Sequence, residues 1–504
     1  MPAVLGTLVV MAYSFYSAWV CIPIPMVDSH LFVGTAVRYA QGHGLTHPAY
    51  FSRHLDPTGL DRVVTYPPLF PWLVGALMPS TDPRWAFLLI AAIRLAQIGL
   101  WGWFYTLMFS RLTAGRSGSR YWLTPLLLIG IVAEAGGPME GRPEALVGLL
   151  TSVAVVLVLF LADRWHGMVL GIVLGLIGST HPVGAILSAG ALAIYAGARW
   201  RPLPAIGFLA LSGGISLVVF AGLLSLSPNG FWPVIHGAST AAGEIVATAW
   251  GDKSVFLLSG RAPFSGVVLA AGFLSGAGLL ARYWQVLGSR TVVVTGAAVF
   301  TAAVWYFSVR APDRFYNALI FTPFYFAGLV WWTNQTDSRF FGKAWLPWIV
   351  AGLCSIGSLR YAIILGFYAR SGVPLQQARF LVATEAGRHP QAGLSLPMDG
   401  LILFDDYSRL NLRLNVTEAI QKKVPLVVFL QPVTPSERDL LAAASYERLS
   451  GIPGPDIPSR LPFWSAGYAI EIYRLGGKTK IGGAELGAPP AVAAPSGAKS
   501  PTSL

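Results

Sequence analysis

Long apolar runs alternate with short polar links over the first 370 residues, and their lengths predict membrane-spanning helices. A bilayer core about 30 Å thick needs roughly 20 helical residues, each rising about 1.5 Å. Runs of that kind, poor in charge, fall at 3 to 24, 85 to 110, 121 to 138, 143 to 162, 167 to 180, 182 to 198, 204 to 226, 264 to 281, 291 to 309, 316 to 333 and 345 to 367. They make about eleven spans. Residues 167 to 198 are too few for two full spans and too many for one, with His181-Pro182 at their middle. Two shortened helices meeting at a turn are therefore expected, because proline cannot continue a helix that lacks its amide donor. The segment 67 to 78, rich in proline at its start, predicts a half-inserted helix.

After residue 370 the pattern changes. Gly400 to Phe404, Val424 to Leu430 and Tyr468 to Tyr473 are short apolar or alternating runs and predict strands. Val416 to Lys422 and Pro435 to Ala444 predict helices, the second capped by Thr434. The expected fold is a polytopic α-helical membrane protein with a small C-terminal α/β domain over 370 to 475, a cover beside the bundle. The Gly, Ala, Pro and Ser-rich stretch 476 to 504 is expected to be disordered.

Composition supports the membrane class: 54% of the 504 residues are hydrophobic and 12% charged. The formal charge of +12 does not indicate nucleic acid, because no soluble segment interleaves basic runs with aromatics. Anionic membrane lipid is the expected electrostatic partner. Cys21 and Cys354 both lie in apolar runs and indicate neither a disulfide framework nor a cysteine-based metal site. The first apolar run has no positive leader and no small-residue cleavage pattern, and is read as a retained helix.

Lys and Arg are retained in short cytoplasmic links. Arg111, Arg116 and Arg120, then Arg164, Arg199 and Arg201, Arg282 and Arg290, and Arg339 and Lys343 all fall on one side of the predicted bundle. That orientation leaves Asp163 and Asp337 inside. The other ten of the twelve acids before residue 370 lie at the outer face, in the loops 25 to 84, 134 to 144, 227 to 263 and 310 to 317, where chemistry is sought. The C-terminal domain falls on that same extracytoplasmic side.

Four outer clusters carry candidate groups, the last of them the loop Ser227 to Gly266 with His236, Glu244, Asp252, Lys253 and Arg261, which can close over a site but whose charges are read mainly as solvation. Asp28 opens a short amphipathic helix after the first span, with His30 following it. A carboxylate there costs less than one at the bilayer centre, can cap the helix, and with partial desolvation can act as a general base. Glu140, Arg142 and Glu144 surround the turn before Pro143, where Arg142 can hold phosphate and the acids can orient a hydroxyl, although Pro143 and Glu144 also suit a helix start. Arg310, Asp313, Arg314 and Tyr316 join a surfacing span to the next helix start, an arrangement suited either to an anion or to an internal ion pair. His181, at the helix break, is a candidate for lining a cavity or contacting substrate, and equally suits a satisfied structural histidine.

Asp28, the glycine-rich exit Gly42 and Gly44, Tyr66 to Pro71, Gly141 to Leu146, Thr180-His181-Pro182 and Asp313 to Tyr316 occur in an order that resembles the GT-C superfamily of polyprenyl-phosphate-sugar-dependent glycosyltransferases. The resemblance is nearest to the protein mannosyltransferase and lipid A aminoarabinose transferase branch. It spans nearly all of the first 335 residues. It implies a GT-C transmembrane catalytic domain over 1 to 369 and inverting transfer of a sugar from a polyprenyl-phosphate-linked donor to a lipid, glycan or protein hydroxyl at the outer face of the cell membrane. Asp28 is then the catalytic acid-base residue. Arg314, Arg142, Tyr66, Tyr316 and Arg310 are the expected donor-phosphate group, and Glu144, Glu140, His181 and His30 the acceptor group. Ser29 stands where many relatives carry a second acid, and Glu144 where an Asp is usual, so a divalent metal stays unassigned and no other cofactor is expected. A transporter or flippase of lipid-linked sugar is the alternative from another class; it would place polar groups near the midplane and use related repeats.

Overall fold

The structure, a computed structural model, describes residues 12, 15–16, 18–21, 27–46, 67–112, 143–225, 232, 375–405, 409–413, 416–430, 432–453 and 469–476. Seven helices precede residue 226 among them: α1 Val27–Ala40, α2 Leu69–Leu77, α3 Pro83–Leu112, α4 Glu144–Phe160, α5 Asp163–Gly178, α6 Pro182–Arg199 and α7 Pro202–Leu224. Helix α7, 23 residues long with a mean hydropathy of 2.1, is the one described helix long and apolar enough to cross a membrane on those criteria, and Glu144–Val158 and Gly184–Gly197 are shorter apolar segments. The remaining expected spans, at 121 to 138 and from 264 to 367, lie outside the described residues, as does that at 3 to 24 apart from residues 12, 15–16 and 18–21.

Helix α1 ends in a Schellman closure. Gly42, at φ +84°, donates its amide to Tyr39 O, and His43 donates to Arg38 O at 3.0 Å. The buried Arg38 Nε donates to Thr46 Oγ1 at 2.9 Å, tying the exit loop back to the helix. Helices α1 and α2 run parallel: Phe32 stacks edge-to-face on Phe70 at 5.9 Å, and a Cβ on Gly75 would lie 2.6 Å from Ala36 O and 3.0 Å from the Tyr39 ring.

The expected break at His181 is a turn, Ser179-Thr180-His181, between α5 of 16 residues and α6 of 18. At the opposite end of this hairpin, Asp163 of α5 meets Arg199 of α6 at 3.2 Å, so Arg164 and Arg199 share one side. Lipid tails give apolar helices little reason to associate, so contact there depends on how closely backbones approach. Gly167, Gly171 and Gly175 provide that approach. A Cβ on each would lie 2.7 to 2.8 Å from Leu211, Ser212 O and Val219 of α7 in turn, which sets α5 and α7 parallel and in close contact.

The C-terminal part folds as α8 Leu375–Arg388, β1 Leu394–Pro397, a 3-10 helix Met398–Leu403, β2 Leu410–Arg413, α9 Val416–Gln421, β3 Leu426–Phe429, α10 Pro435–Ala443, β4 Tyr446–Ile452 and β5 Ile470–Leu475. Its sheet has the order β2-β1-β3-β5-β4. Strand β1 is parallel to β2 and β3, while β5 runs antiparallel to both β3 and β4. Thr434 caps α10 in a capping box: its hydroxyl accepts from the Glu437 amide at 3.3 Å, and Glu437 Oε2 accepts from the Thr434 amide at 2.9 Å. The run Gly400 to Phe404 is not a strand. It is mostly 3-10 helix, preceded by the short strand β1, and β2 and β4 also form where no strand is expected. An apolar run of this length does not distinguish a buried helical turn from a buried strand by periodicity.

This α/β part does not stand apart from the helices. One continuous apolar core contains Phe32, Val33, Ala36 and Val37 of α1, Phe70 and Val74 of α2 and Phe87 and Ile90 of α3, together with Leu375, Ala378 and Val382 of α8, Ile402 and Leu403 of the 3-10 helix, and Leu426, Ile470 and Ile472 of the sheet. Helix α1 packs directly on the 3-10 helix. The described helices and the α/β part thus share one core.

Candidate functional site

Four of the sequence motifs meet at one end of the helices. The amide of Leu69, just after Pro67-Pro68, donates to Ser179 O at 3.0 Å and fastens the start of α2 to the turn that carries His181. Because α1 and α2 are parallel, the first turn of α1, with Asp28 and His30, lies at this same end. Helices α4 and α5 form a second hairpin through Leu161 and Ala162, so the start of α4 returns to the end of α5. A Cβ on Gly184 of α6 would fall 2.6 Å from Val147 of α4 and 3.4 Å from Ile177 of α5, which brings three helix ends into one cluster.

Glu144 is the first residue of α4, where a negative charge complements the helix dipole, and it is fully buried. His181 is 3% exposed; its amide donates to Ile177 O at 2.8 Å and its carbonyl accepts from Ala185 N at 3.2 Å, which fixes its backbone at the head of α6. Asp28 and His30 belong to the first turn of α1. Arg142, Glu140, Tyr66, Arg310, Arg314 and Tyr316 lie outside the described residues. Deeper along α3, Arg94 and Gln97 are buried one turn apart, and α3 packs on α4. No group of three or more His, Cys, Asp or Glu side chains suited to a metal occurs among the described residues.

A second polar group lies at the other end of α2. Asp82 caps α3: its Oδ1 accepts from the Arg84 amide at 3.0 Å, with Pro83 in the first helical position, where no amide is needed. Its Oδ2 accepts from Arg84 Nε at 2.8 Å and lies 2.6 Å from Nη2. The guanidinium sits 4.1 Å from the Trp19 ring centre, and Trp19 meets Trp85 edge-to-face at 6.2 Å. Burial pushes the Asp82 carboxyl up, but the hydrogen bonds and charge of Arg84, with the charge of Arg379, outweigh it and hold the carboxyl below its usual value. Facing this turn, Arg379 of α8 donates to Ile402 O at 3.0 Å and to Asp405 Oδ2 at 2.6 Å. Sequence reasoning gave these residues no role. The available signal was the Ser80-Thr81-Asp82-Pro83 start of a long apolar helix, which marks a cap; the opposing Arg379 is nearly 300 positions away.

No known family profile matches the chain, and no curated protein does. Solved structures do. The crystal structure of ArnT from Cupriavidus metallidurans bound to undecaprenyl phosphate superimposes with a TM-score of 0.55 at 13% identity, covering 94% of this chain and 98% of that one. An oligosaccharyltransferase of Archaeoglobus fulgidus, tethered with an acceptor peptide, matches with a TM-score of 0.46 at 11% identity, covering 84% of this chain and 69% of that one. The arabinofuranosyltransferase AftD from Mycobacteria matches at 0.45 with 14% identity, covering 94% of this chain and 41% of that one. The likeness to ArnT shows that the chain has the GT-C membrane fold.

Proposed function

We propose that this protein is a polyprenyl-phosphate-sugar-dependent glycosyltransferase that works at the outer face of the cell membrane. The observation that carries the reading is the convergence of the first turn of α1, the Pro67-Pro68-Leu69 entry, the His181 turn and the buried Glu144 at one end of a GT-C bundle. Fold likeness to ArnT, solved with undecaprenyl phosphate, adds to it by analogy.

In the proposed reaction Asp28 takes the proton from the acceptor hydroxyl. The hydroxyl oxygen attacks the anomeric carbon opposite the phosphate, so the new glycosidic bond forms as the bond to the phosphate oxygen breaks and the configuration inverts. Arg314 and Arg142, assisted by Tyr66, Tyr316 and Arg310, stabilise the charge that develops on the leaving phosphate. Glu144, Glu140, His181 and His30 orient the acceptor, a lipid, glycan or protein hydroxyl. Activation resides in the carrier, so the reaction asks for no nucleotide. Eleven spans and an extracytoplasmic active site belong to the same proposal.

The test is incubation of membranes or reconstituted protein with a radiolabelled undecaprenyl-phosphate-linked sugar. A labelled product with a new glycosidic bond supports transfer. Movement of label to a protected compartment with no new bond would replace the enzyme by a transporter. Chelation before the assay decides whether a divalent cation takes part.

A further inference from the structure

The turn Ser80-Thr81-Asp82, helix α8 and the end of the 3-10 helix border an open surface cleft of about 790 Å³. Gln376, Arg379, Phe380 and Asp405 line its far wall. The cleft joins the helical bundle to the α/β part, and the proposed reaction does not use it.

Its chemistry narrows the occupant. Asp82 and Asp405 face Arg84 and Arg379, so charges balance locally. Both guanidiniums are already engaged: Arg84 with Asp82 and the Trp19 ring, Arg379 with Asp405 and Ile402 O. A phosphate would have to break one of these pairs. What the cleft offers instead is the hydroxyls of Ser80 and Thr81, the Gln376 amide, carboxylate edges left over from the ion pairs, and Phe380. The Phe380 side chain is 73% exposed, which leaves most of its ring open at the cleft. Hydroxyl-matching polar groups beside an open aromatic face are what an uncharged sugar ring needs, since its rim is polar and one face is C–H.

Position adds a length. Helix α2 has nine residues, so about 13 Å separates its start, at the converged motifs, from its end at this cleft. We propose that the cleft is a glycan-binding subsite, which holds an uncharged sugar of the acceptor remote from the hydroxyl that reacts. This rests on the glycosyltransferase reading and deepens it: the acceptor carries an oligosaccharide and not a single sugar. Binding energy gathered at such a distance is available to orient the reacting end.

The experiment places p-benzoylphenylalanine at position 380 of the full-length protein, in native membranes, and reads the photo-adducts by mass spectrometry. The expected adduct contains hexose or pentose units. Ala383→Trp, an exposed lining position whose new ring would fill the cleft, is expected to reduce that adduct about tenfold while the protein still elutes as a folded particle. Adducts of phospholipid alone, no adduct, or a sugar adduct undiminished by Ala383→Trp would each overturn the subsite. The Asp28→Asn background keeps the two readings apart. A sugar adduct there, alongside a wild-type protein that forms no labelled product in the transfer assay, would remove the transferase reading and leave the glycan cleft standing.

Discussion

Replacing Asp28 by Asn keeps the size of the side chain and much of its ability to cap α1, but removes the group proposed to take the acceptor proton. A loss of roughly 100- to 10,000-fold in turnover with donor binding retained is expected. Arg314→Ala is expected to fail differently, losing a charge-assisted phosphate contact of about 1.5 to 3 kcal/mol and weakening donor binding. Donor affinity and single-turnover transfer, measured for both variants in detergent, separate the two. Normal transfer by the Asn variant would leave Asp28 as a cap alone. At Asp82 the expectation concerns stability. A carboxyl held low in the folded state contributes stability above its unfolded pKa of about 3.9, and that contribution is lost as pH falls through the folded value. Asp82→Asn should therefore lower the melting midpoint at pH 7, with the gap to wild type closing below about pH 4. A gap of equal size at pH 7 and pH 3 would assign the effect to packing.

The helices of this protein meet through missing side chains as much as through present ones. Gly171 and Gly175 of α5 leave no room for a Cβ against Ser212 O, Ser216 O and Val219 of α7. Gly171→Val is expected to destabilise the bundle by about 1 to 3 kcal/mol, since backbones cannot yield as side-chain ends do. Gly207→Ala on α7, where a Cβ meets none of the described residues, is the comparison and should be neutral or stabilise slightly, alanine being the better helix former. Detergent-solubilised melting of the two variants measures the difference; equal midpoints would mean that α5 and α7 are not closely apposed. In the α/β part the capping box at α10 is local, and Thr434→Ala should cost about 1 kcal/mol without reaching the bundle.

Across the whole molecule the shared core makes the α/β part a support for α1, the helix that carries Asp28. Truncation after residue 370 would expose Phe32, Val33, Ala36 and Val37, which are at most 5% exposed in the full chain. Burial of each large apolar side chain contributes about 1.5 to 3 kcal/mol, so the truncated protein is expected to aggregate or to melt well below the intact one. Size-exclusion profiles in detergent test this, and a monodisperse truncated bundle with an unchanged midpoint would show the core to be divisible. The orientation proposed from the cationic links predicts an active alkaline phosphatase fused after Gly476 and a cytoplasm-active reporter working after Arg339. The opposite pattern would invert the protein in the membrane.

What the sequence by itself determined were the features that are local in the chain. Charge-poor runs mark α3 to α7 within a few residues, the proline after His181 marks the turn between α5 and α6, and Thr434 marks the start of α10, because helix length, proline and capping act over one or two turns. Gly42 likewise announces the end of α1 through the positive φ it adopts. Tertiary structure alone decided the rest. The run Gly400 to Phe404 became a helical turn against α1, and short β2 and β4 became the two edges of a mixed sheet, since pairing is settled by partners distant in sequence. The same holds for the end where Leu69 meets Ser179 and Gly184 meets Val147, and for the cleft where Asp82 faces Arg379. Each residue type there was legible, but its neighbour depended on how whole helices pack, and no period or motif in one chain encodes that directly.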